Sequence, residues 1–473
     1  MQPTPIAWTI NTSDSSSGDG LQSDLQTFHA FGVHGCTVVT AVTARNSTST
    51  DRSVQLGPDV VEAQLRALAK DLPAGAVKSG TLGMTGIVRA VVNNMEQIQA
   101  PLVCDPSAAS PAGMRQLDPS TLETVRNKLL PRSSVFAPNL TEAEWFSGLT
   151  GLSLNTMPDA ARRLLEMGAA SVLIKGGHLP GDFCQDLWSD GEHTFWITSP
   201  RIPDTVTTGA GGMLAAAITA ALAHSPAVAD ALVLAKTYVN QGLRRRQMVG
   251  KGPGLAGHPG FPSSAEDFPV VTATAAGALR AWSFKPLRFE GAPVMASAAS
   301  AEQAAGLVHA GVRCVRFILD GMNSEKRATE TAAAAKIVSE LGGRLFTHGH
   351  PNLAQTCGAH GALLTPDTAT DAVLAMMETS GLLLGIEAHS PFELARALAW
   401  QPSWVQLDGA KGADHFARLA RLSDSPVVAA SGASVENASA FRTAGAAGLL
   451  IDDDVRDALD SNYRVTQWAR LPG

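Results

Sequence analysis

The stretch "TVTTGAGGMLAAAITAALA", Thr205–Ala223, decides how the first half of this chain folds. Gly209, Gly211 and Gly212 crowd a turn that opens directly into an apolar, alanine-rich helix. Such a turn presents unpaired backbone N–H groups at the positive end of a helix dipole, where an anion binds, and glycine serves because a Cβ blocks close approach. Taken alone, the motif fits tight helix packing as well as anion binding, so its surroundings decide. Upstream, the short runs "IAWTI", "CTVVTAVTA", "AVKSGTL", "PLVCDPS", "SVFAPN" and "SVLIKGG" alternate with helical patterns, and a hairpin follows through "DLWSDGEHTFWIT". Strands alternating with helices predict a mainly parallel sheet covered on both faces. Past the turn, Gly211 to about Arg246 reads as two helices.

Three strand ends bring polar groups toward this turn. "LVCDP" places Asp105 just after an apolar strand, "APNLTEAE" places Asn139 and Glu142 three residues apart after another, and "LIKGGH" places Lys175 after a third. The C-terminal ends of parallel strands face one crevice, so these side chains are expected to converge on the glycine turn. Carboxylate and amide oxygens suit a water-bridged Mg²⁺, and a lysine suits a nucleotide phosphate. Turn capping and solvated strand ends explain any one of these residues singly; together they favour a ligand.

The whole chain, 473 residues with 45% hydrophobic and 17% charged residues, is long enough for two sizeable cores. A formal charge of −7 and no basic cluster beyond "LRRRQ", Leu243–Gln247, leave no electrostatic footprint for nucleic acid. The five cysteines are widely spaced and lack zinc-binding spacing, as expected of reduced thiols. No leader-like or membrane-spanning run is evident, so the expectation is a cytoplasmic protein without a membrane partner. After "GKGPGLAGHPGFPSSAEDFP", dense in Gly and Pro, eight apolar strand candidates follow: "PVMASAA", "VRCVRFIL", "RLFTHG", "GALLT", "LLLGIEA", "WVQLDG", "PVVAAS" and "GLLID". Amphipathic helices separate them, the signature of a compact (β/α)₈ TIM barrel. The expected division is a domain at 1–258, a Gly/Pro-rich linker at 259–290 and a barrel at 291–473. In such barrels chemistry sits at strand C-terminal ends, which marks Asp320, His348, His389, Asp408 and Ser431. A new metal site from His348, His350, His389 and Asp408 is the rival to plain capping histidines there, and is not favoured.

The first half resembles the hydroxymethylpyrimidine and hydroxymethylpyrimidine-phosphate kinases of thiamine biosynthesis. The matching stretches, in order, are "TINTSDSSSGDGLQSDLQTFHAFGVHGCTVVTAVTARN", "PDVVEAQL", "VCDP", "PNLTEAE", "VLIKGGHL" and "TGAGGMLAAAITAALA". The resemblance implies a ribokinase-like three-layer α/β/α fold, use of ATP and Mg²⁺, a small-molecule pyrimidine substrate, and a homodimer through this domain. It implies Asn139, Glu142 and Lys175 on the nucleotide, Asp105 and Glu142 on Mg²⁺ through water, an anion hole at Gly209 and Gly211, and Asp24 near the pyrimidine. The chain also departs from the family. Asn11 and Thr12 stand for Ala-Gly and Asp19 for Ala in a pattern close to AGSDSSGGAG; Arg45 replaces a Gln or Glu that contacts the pyrimidine, and Thr81 replaces a Met. Gly212 replaces the Cys that the resemblance makes the catalytic base, a loss on the order of 10²–10⁴ in rate. The backbone cradle survives that change, because phosphoryl transfer draws mainly on positioning and charge stabilisation.

The second half resembles thiamine-phosphate synthase, best in "GIEAHSPFELARALAWQPSWVQLDG", "PVVAASGASVENASAFRTAGAAGLLI" and "HPNLAQTCGAHGALL". Its motifs are eroded. Ile318 and Asp320 replace a diphosphate-binding Arg and Lys, His348-Gly349 replaces an Asn-Asp pair, and Glu387 replaces a Ser, while Lys411 alone remains of a phosphate loop. His389, Ser431 and Gly432 are the remnants of the phosphate and ligand site. Binding a diphosphate takes several cations or Mg²⁺ together, so no synthase activity is expected. The function expected of the whole is ATP-dependent phosphorylation of hydroxymethylpyrimidine or its phosphate beside an inactive barrel. The alternative is a catalytically silent paralogue that binds nucleotide or pyrimidine phosphate as a regulator or scaffold.

Overall fold

The computed structural model describes residues 3–109, 114–203, 209–277, 282–289, 293–434 and 436–451. The chain divides into two compact units, Met1–Leu279 and Arg280–Gly473.

The first unit is built on one ten-stranded sheet. Its strands are β1 (Ile6–Asp14), β2 (His34–Arg45), β3 (Thr50–Gln55), β4 (Ala76–Ser79), β5 (Leu102–Cys104), β6 (Val135–Phe136), β7 (Val172–Ile174), β8 (Phe183–Ser189), β9 (Thr194–Pro200) and β10 (Val270–Thr272). They lie in the order β10-β9-β8-β7-β6-β5-β4-β1-β2-β3. The central strands from β7 to β2 are parallel, and antiparallel strands finish both edges. Strand order reverses at β1, which lies between β4 and β2; such a switch point opens a crevice at the strand C-terminal ends. The expected hairpin is present as β8–β9.

Successive side chains on a strand face opposite ways, and that alternation assigns the two layers. Trp8, Ile10 and Val77 join the main core with Val61 and Leu65 of α2 (Pro58–Asp71) and Ile87 and Val91 of α3 (Thr85–Ile98). The same layer continues through α4 (Pro119–Thr124), α5 (Leu140–Ser147) and α6 (Met157–Glu166). Thr9 and Lys78, register neighbours on β1 and β4, point the other way, toward α1 (Gly20–Ala30). Beside α1 on that face runs α7 (Ala210–His224), packed in turn on α8 (Val228–Arg244). Every residue of α7 from Met213 to Leu222 is buried, and its alanines let sheet and helices approach closely.

The expected linker at 259–290 is not one. Phe268, Val270 and Val271 are buried, β10 pairs with β9, and buried Asp267 accepts from Arg244 at 2.6 Å, so this part belongs to the sheet. Further on, Phe284 and Leu287 donate backbone N–H groups to Gln401 and Ser403, and Leu287 enters the core of the second unit. Glycine and proline marked turns there, while the apolar residues between them still found cores.

The second unit closes into an all-parallel eight-stranded barrel. Its strands are β11 (Val294–Ala298), β12 (Cys314–Phe317), β13 (Arg344–His348), β14 (Gly361–Leu364), β15 (Leu383–Ala388), β16 (Trp404–Asp408), β17 (Val427–Ala430) and β18 (Gly448–Leu450), each within one of the eight runs read from the sequence. Closure comes from β18 pairing with β11, Leu450 opposite Met295. Helices α9 (Ala301–His309), α10 (Ser324–Glu340), α11 (Pro351–Cys357), α12 (Asp371–Thr379), α13 (Pro391–Leu398), α14 (Ala413–Ala420) and α15 (Ala438–Thr443) separate the strands. Ser300, Asn323, Thr370 and Ser390 cap four of them through their side chains, as short polar residues do at helix starts.

Candidate active site

The site of the first unit forms where β1, β4, β5 and β7 end under the start of α7. Gly209, the N-cap of α7, has φ 86°, and a Cβ there would stand 2.5 Å from the Gly18 carbonyl oxygen. Only glycine holds this turn without strain. A Cβ on Gly211 would stand 3.4 Å from Lys175 Nζ, and one on Gly212 would stand 3.2 Å from Asp19 Oδ1, 3.8 Å from Asp105 Oδ2 and 3.8 Å from Lys78 Nζ. Asp19, Lys78, Asp105 and Lys175 therefore gather around the backbone of the glycine turn. Thr208 lies outside the described residues.

Two buried ion pairs organise this cluster. Lys175 Nζ donates to Asp105 Oδ1 at 2.9 Å, and Lys78 Nζ donates to Asp24 Oδ1 at 2.6 Å. Burial opposes the Lys175 charge, but the Asp105 and Glu142 carboxylates outweigh it and hold the ammonium above its ordinary 10.5. Asp24 is completed by Thr9 Oγ1 at 2.6 Å and Asn11 Nδ2 at 3.0 Å on its other oxygen. Asp24 thus sits 1% exposed, with both oxygens engaged by protein. Lys78 was given no role from the sequence; its signal was a single lysine inside a strand whose every residue is buried, because a charge so placed needs a partner.

Asn139 and Glu142 form a reciprocal capping box at the start of α5. Glu142 Oε1 accepts from Ala108 N at 2.7 Å and Ala109 N at 3.2 Å, and Oε2 accepts from Asn139 N at 2.9 Å. Its carboxylate thereby fixes the segment that follows Asp105. Arg45 lies at the rim, 3.5 Å from Asp14 and 4.0 Å from Asp19, and Thr81 is held by its backbone N–H on Asn11 Oδ1 at 3.0 Å. Asp19 caps α1 by accepting from Gly20 N at 2.8 Å. A cavity of about 200 Å³ adjoins the turn, lined among others by Gly18, Ser23, Gly209, Leu255 and His258. Burial holds His258 below the ordinary 6.5, and its Nδ1 lies 2.8 Å from the Tyr238 hydroxyl oxygen.

The barrel's strand ends hold less. His348 Nε2 lies 3.3 Å from Glu387 Oε1, which also accepts from Gln406 Nε2 at 3.0 Å. His389 is exposed and engages Glu393 through its backbone N–H; Asp320 is exposed. Ser431 and Gly432 have positive φ values of 61° and 65°, and Asn437 Nδ2 donates to the Gly432 carbonyl at 2.8 Å. Among the described residues of the chain, no three or more His, Cys, Asp or Glu side chains gather as metal ligands. Among the same residues, no helix is long and apolar enough to cross a membrane.

A doubly wound α/β sheet with lysine–carboxylate pairs beneath a glycine-rich helix start defines the ribokinase-like class of small-molecule kinase folds, followed here by a TIM-type barrel. The phosphomethylpyrimidine kinase family matches residues 14–256, just over half of the 473, and the chain belongs to that family. It is 38% identical over 254 residues, 54% of this chain and 94% of the relative, to the hydroxymethylpyrimidine/phosphomethylpyrimidine kinase of Streptomyces coelicolor. It is 33% identical over 257 residues, 54% of this chain and 52% of the relative, to a thiamine biosynthesis bifunctional protein of Geobacter sulfurreducens. Among solved structures, the pyridoxal kinase of Staphylococcus aureus in complex with ADP matches at TM-score 0.53 and 31% identity, covering 57% of this chain and 98% of that one.

Proposed function

We propose that the first unit transfers the γ-phosphoryl group of ATP to the hydroxymethyl group of a hydroxymethylpyrimidine or its phosphate, in thiamine biosynthesis. The observation that carries this is the convergence of the Lys175–Asp105 and Lys78–Asp24 pairs on the backbone of Gly211 and Gly212. A phosphate chain laid on the turn meets N–H donors at the start of α7 and the Lys175 ammonium beside them. Over Gly211 the turn leaves space that a Cβ would fill, beside Lys175 Nζ, so the residues fit a nucleotide phosphate. Asp105 Oδ2, turned toward Gly212, fits a water-bridged Mg²⁺, which supplies charge neutralisation on the phosphates when bound. Asn139 and Glu142 serve by holding the α5 start and the segment after Asp105 in place. The cavity beside Gly209 is smaller than the roughly 300–1,000 Å³ of drug-sized pockets and suits a single ring. Arg45 at the rim favours an acceptor that carries a phosphate. A homodimer through the first unit belongs to the same proposal, as does a barrel without synthase chemistry, since Ile318 and the exposed Asp320 offer a diphosphate no cation.

The test is ADP formation by the full chain with Mg²⁺ and ATP, with and without hydroxymethylpyrimidine or its phosphate. Saturable, acceptor-dependent ADP release is expected, and release no faster than without acceptor overturns the proposal. In that event ATP that still raises Tm leaves the nucleotide-binding scaffold as the function, because a ligand of the native state stabilises it.

A further inference from the structure

Transfer to an alcohol requires a group that takes its proton, within hydrogen-bond reach of an oxygen lying over the glycine turn. Gly212 offers no side chain. The carboxylates around it differ sharply in what they already hold. Asp24 is bound by Lys78, Thr9 and Asn11; Asp105 holds Lys175; Glu142 accepts three backbone N–H groups; Asp14 accepts the Ser16 N–H and hydroxyl and faces Arg45. Asp19 accepts one backbone bond, from Gly20, and its side chain is 46% exposed. Its Oδ1 occupies the space above Gly212, only 3.2 Å from where a Cβ would stand. A side chain at position 212 would press on the Asp19 carboxylate, so this aspartate and this glycine fit each other.

Resting on the kinase function above, we propose that Asp19 is the general base of this enzyme, its carboxylate standing in space where the side chain of residue 212 would otherwise stand. The Asp19 carboxylate takes the proton of the acceptor hydroxyl as that oxygen forms its bond to the γ-phosphorus. The bond from phosphorus to the β,γ-bridging oxygen breaks, and ADP leaves with that electron pair. Asp19 then returns its proton to solvent through the open cleft. Although solvent reaches nearly half of the side chain, the protein crowded around the carboxyl raises it above the ordinary 3.8 by desolvation, which with the nearby Asp24 and Asp105 charges outweighs the Gly20 N–H and Lys78; Arg45 faces it from the rim. A carboxylate raised in this way is a better proton acceptor near neutrality.

The experiment is steady-state kinetics of Asp19→Asn, which keeps the helix cap because asparagine caps as well as aspartate, and removes the basic oxygen. The expected result is a fall in kcat of about 10²–10⁴, with Tm and the ATP thermal shift unchanged. The wild-type rate should rise with pH through the raised Asp19 value and level off above it, since only the ionised form accepts a proton, and this limb should disappear in the variant. The double variant Asp19→Ala/Gly212→Cys moves the base onto the helix, so turnover should exceed that of Asp19→Asn, with the limb shifted toward the thiol range. An Asp19→Asn variant with wild-type kcat and pH dependence overturns the proposal while leaving the kinase function intact. So does a double variant with wild-type Tm that is no faster than Asp19→Asn. Wild-type protein that forms no ADP fails the kinase function itself, and the base with it.

Discussion

The cleft of the first unit and the mouth of the barrel both lie at the C-terminal ends of parallel strands, yet their charges are held in different ways. Under the glycine turn, the side chains of Lys78 and Asp24 are 1% and 2% exposed and those of Lys175 and Asp105 are 12% and 6% exposed, each cation 2.6–2.9 Å from its own carboxylate. At the barrel, His348 and Glu387 are 33% and 14% exposed at 3.3 Å, and Asp320 and His389 face solvent. Taking charge out of water costs several kcal/mol per ion and is sustained only by good pairing. The cleft therefore holds a fixed electrostatic arrangement, as a phosphoryl-transfer site requires, whereas the barrel's charges rest at the surface with little to hold them in place.

The heaviest loss is expected in the cleft. Lys78→Met leaves the Asp24 carboxylate buried with only Thr9 and Asn11 to satisfy it. Loss of one partner of a buried pair destabilises by about 3–5 kcal/mol, and urea unfolding read by hydrogen exchange in β1 and β4 measures it. A smaller loss is expected from Gly209→Ala, which forces a Cβ toward the Gly18 carbonyl at a positive φ. Backbone strain of this kind costs about 1–3 kcal/mol, and the ATP thermal shift should shrink with it because the turn no longer presents its N–H groups in register. A Gly209→Ala protein that keeps wild-type stability and ATP response would erase the contrast between the two regions.

Much of this contrast was already legible in the sequence, but unevenly. The eight barrel strands and the β8–β9 hairpin followed from apolar runs bounded by turn residues, since burial imposes that pattern locally. β10 and the segment from Phe284 to Leu287 were hidden inside a Gly- and Pro-rich stretch, where turn chemistry masks short apolar runs that reach a core only through distant partners. The spacing of Asn139 and Glu142 is the spacing of a capping box as well as of a pair of ligands. Geometry alone shows the carboxylate spent on backbone N–H groups. Lys78 was disguised as part of a buried strand, and Asp19 as a mere departure from a loop pattern. Its meaning depends on Gly212, which is remote in sequence and adjacent in space.

At the barrel mouth the expected loss is slighter. Glu387 is partly buried, which disfavours its charge, but the hydrogen bond and charge of His348, with Arg316 and His389 beyond, hold its carboxyl below the ordinary 4.5. A carboxyl depressed on folding contributes stability that is present above its unfolded value and is lost as pH falls through its folded one. Glu387→Gln keeps an acceptor oxygen for Gln406 and removes only the charge. For a pair that solvent still reaches the loss at neutral pH should be below about 1 kcal/mol, and it should fade as the pH falls through the depressed Glu387 value, where the wild-type carboxyl takes up a proton as well. Hydrogen exchange in β13 and β15 at pH 7 and in mild acid reads both values. A loss at neutral pH as large as that of Lys78→Met would mean that the barrel mouth, too, is built around a fixed buried charge, and that its strand ends had been organised for a ligand of their own.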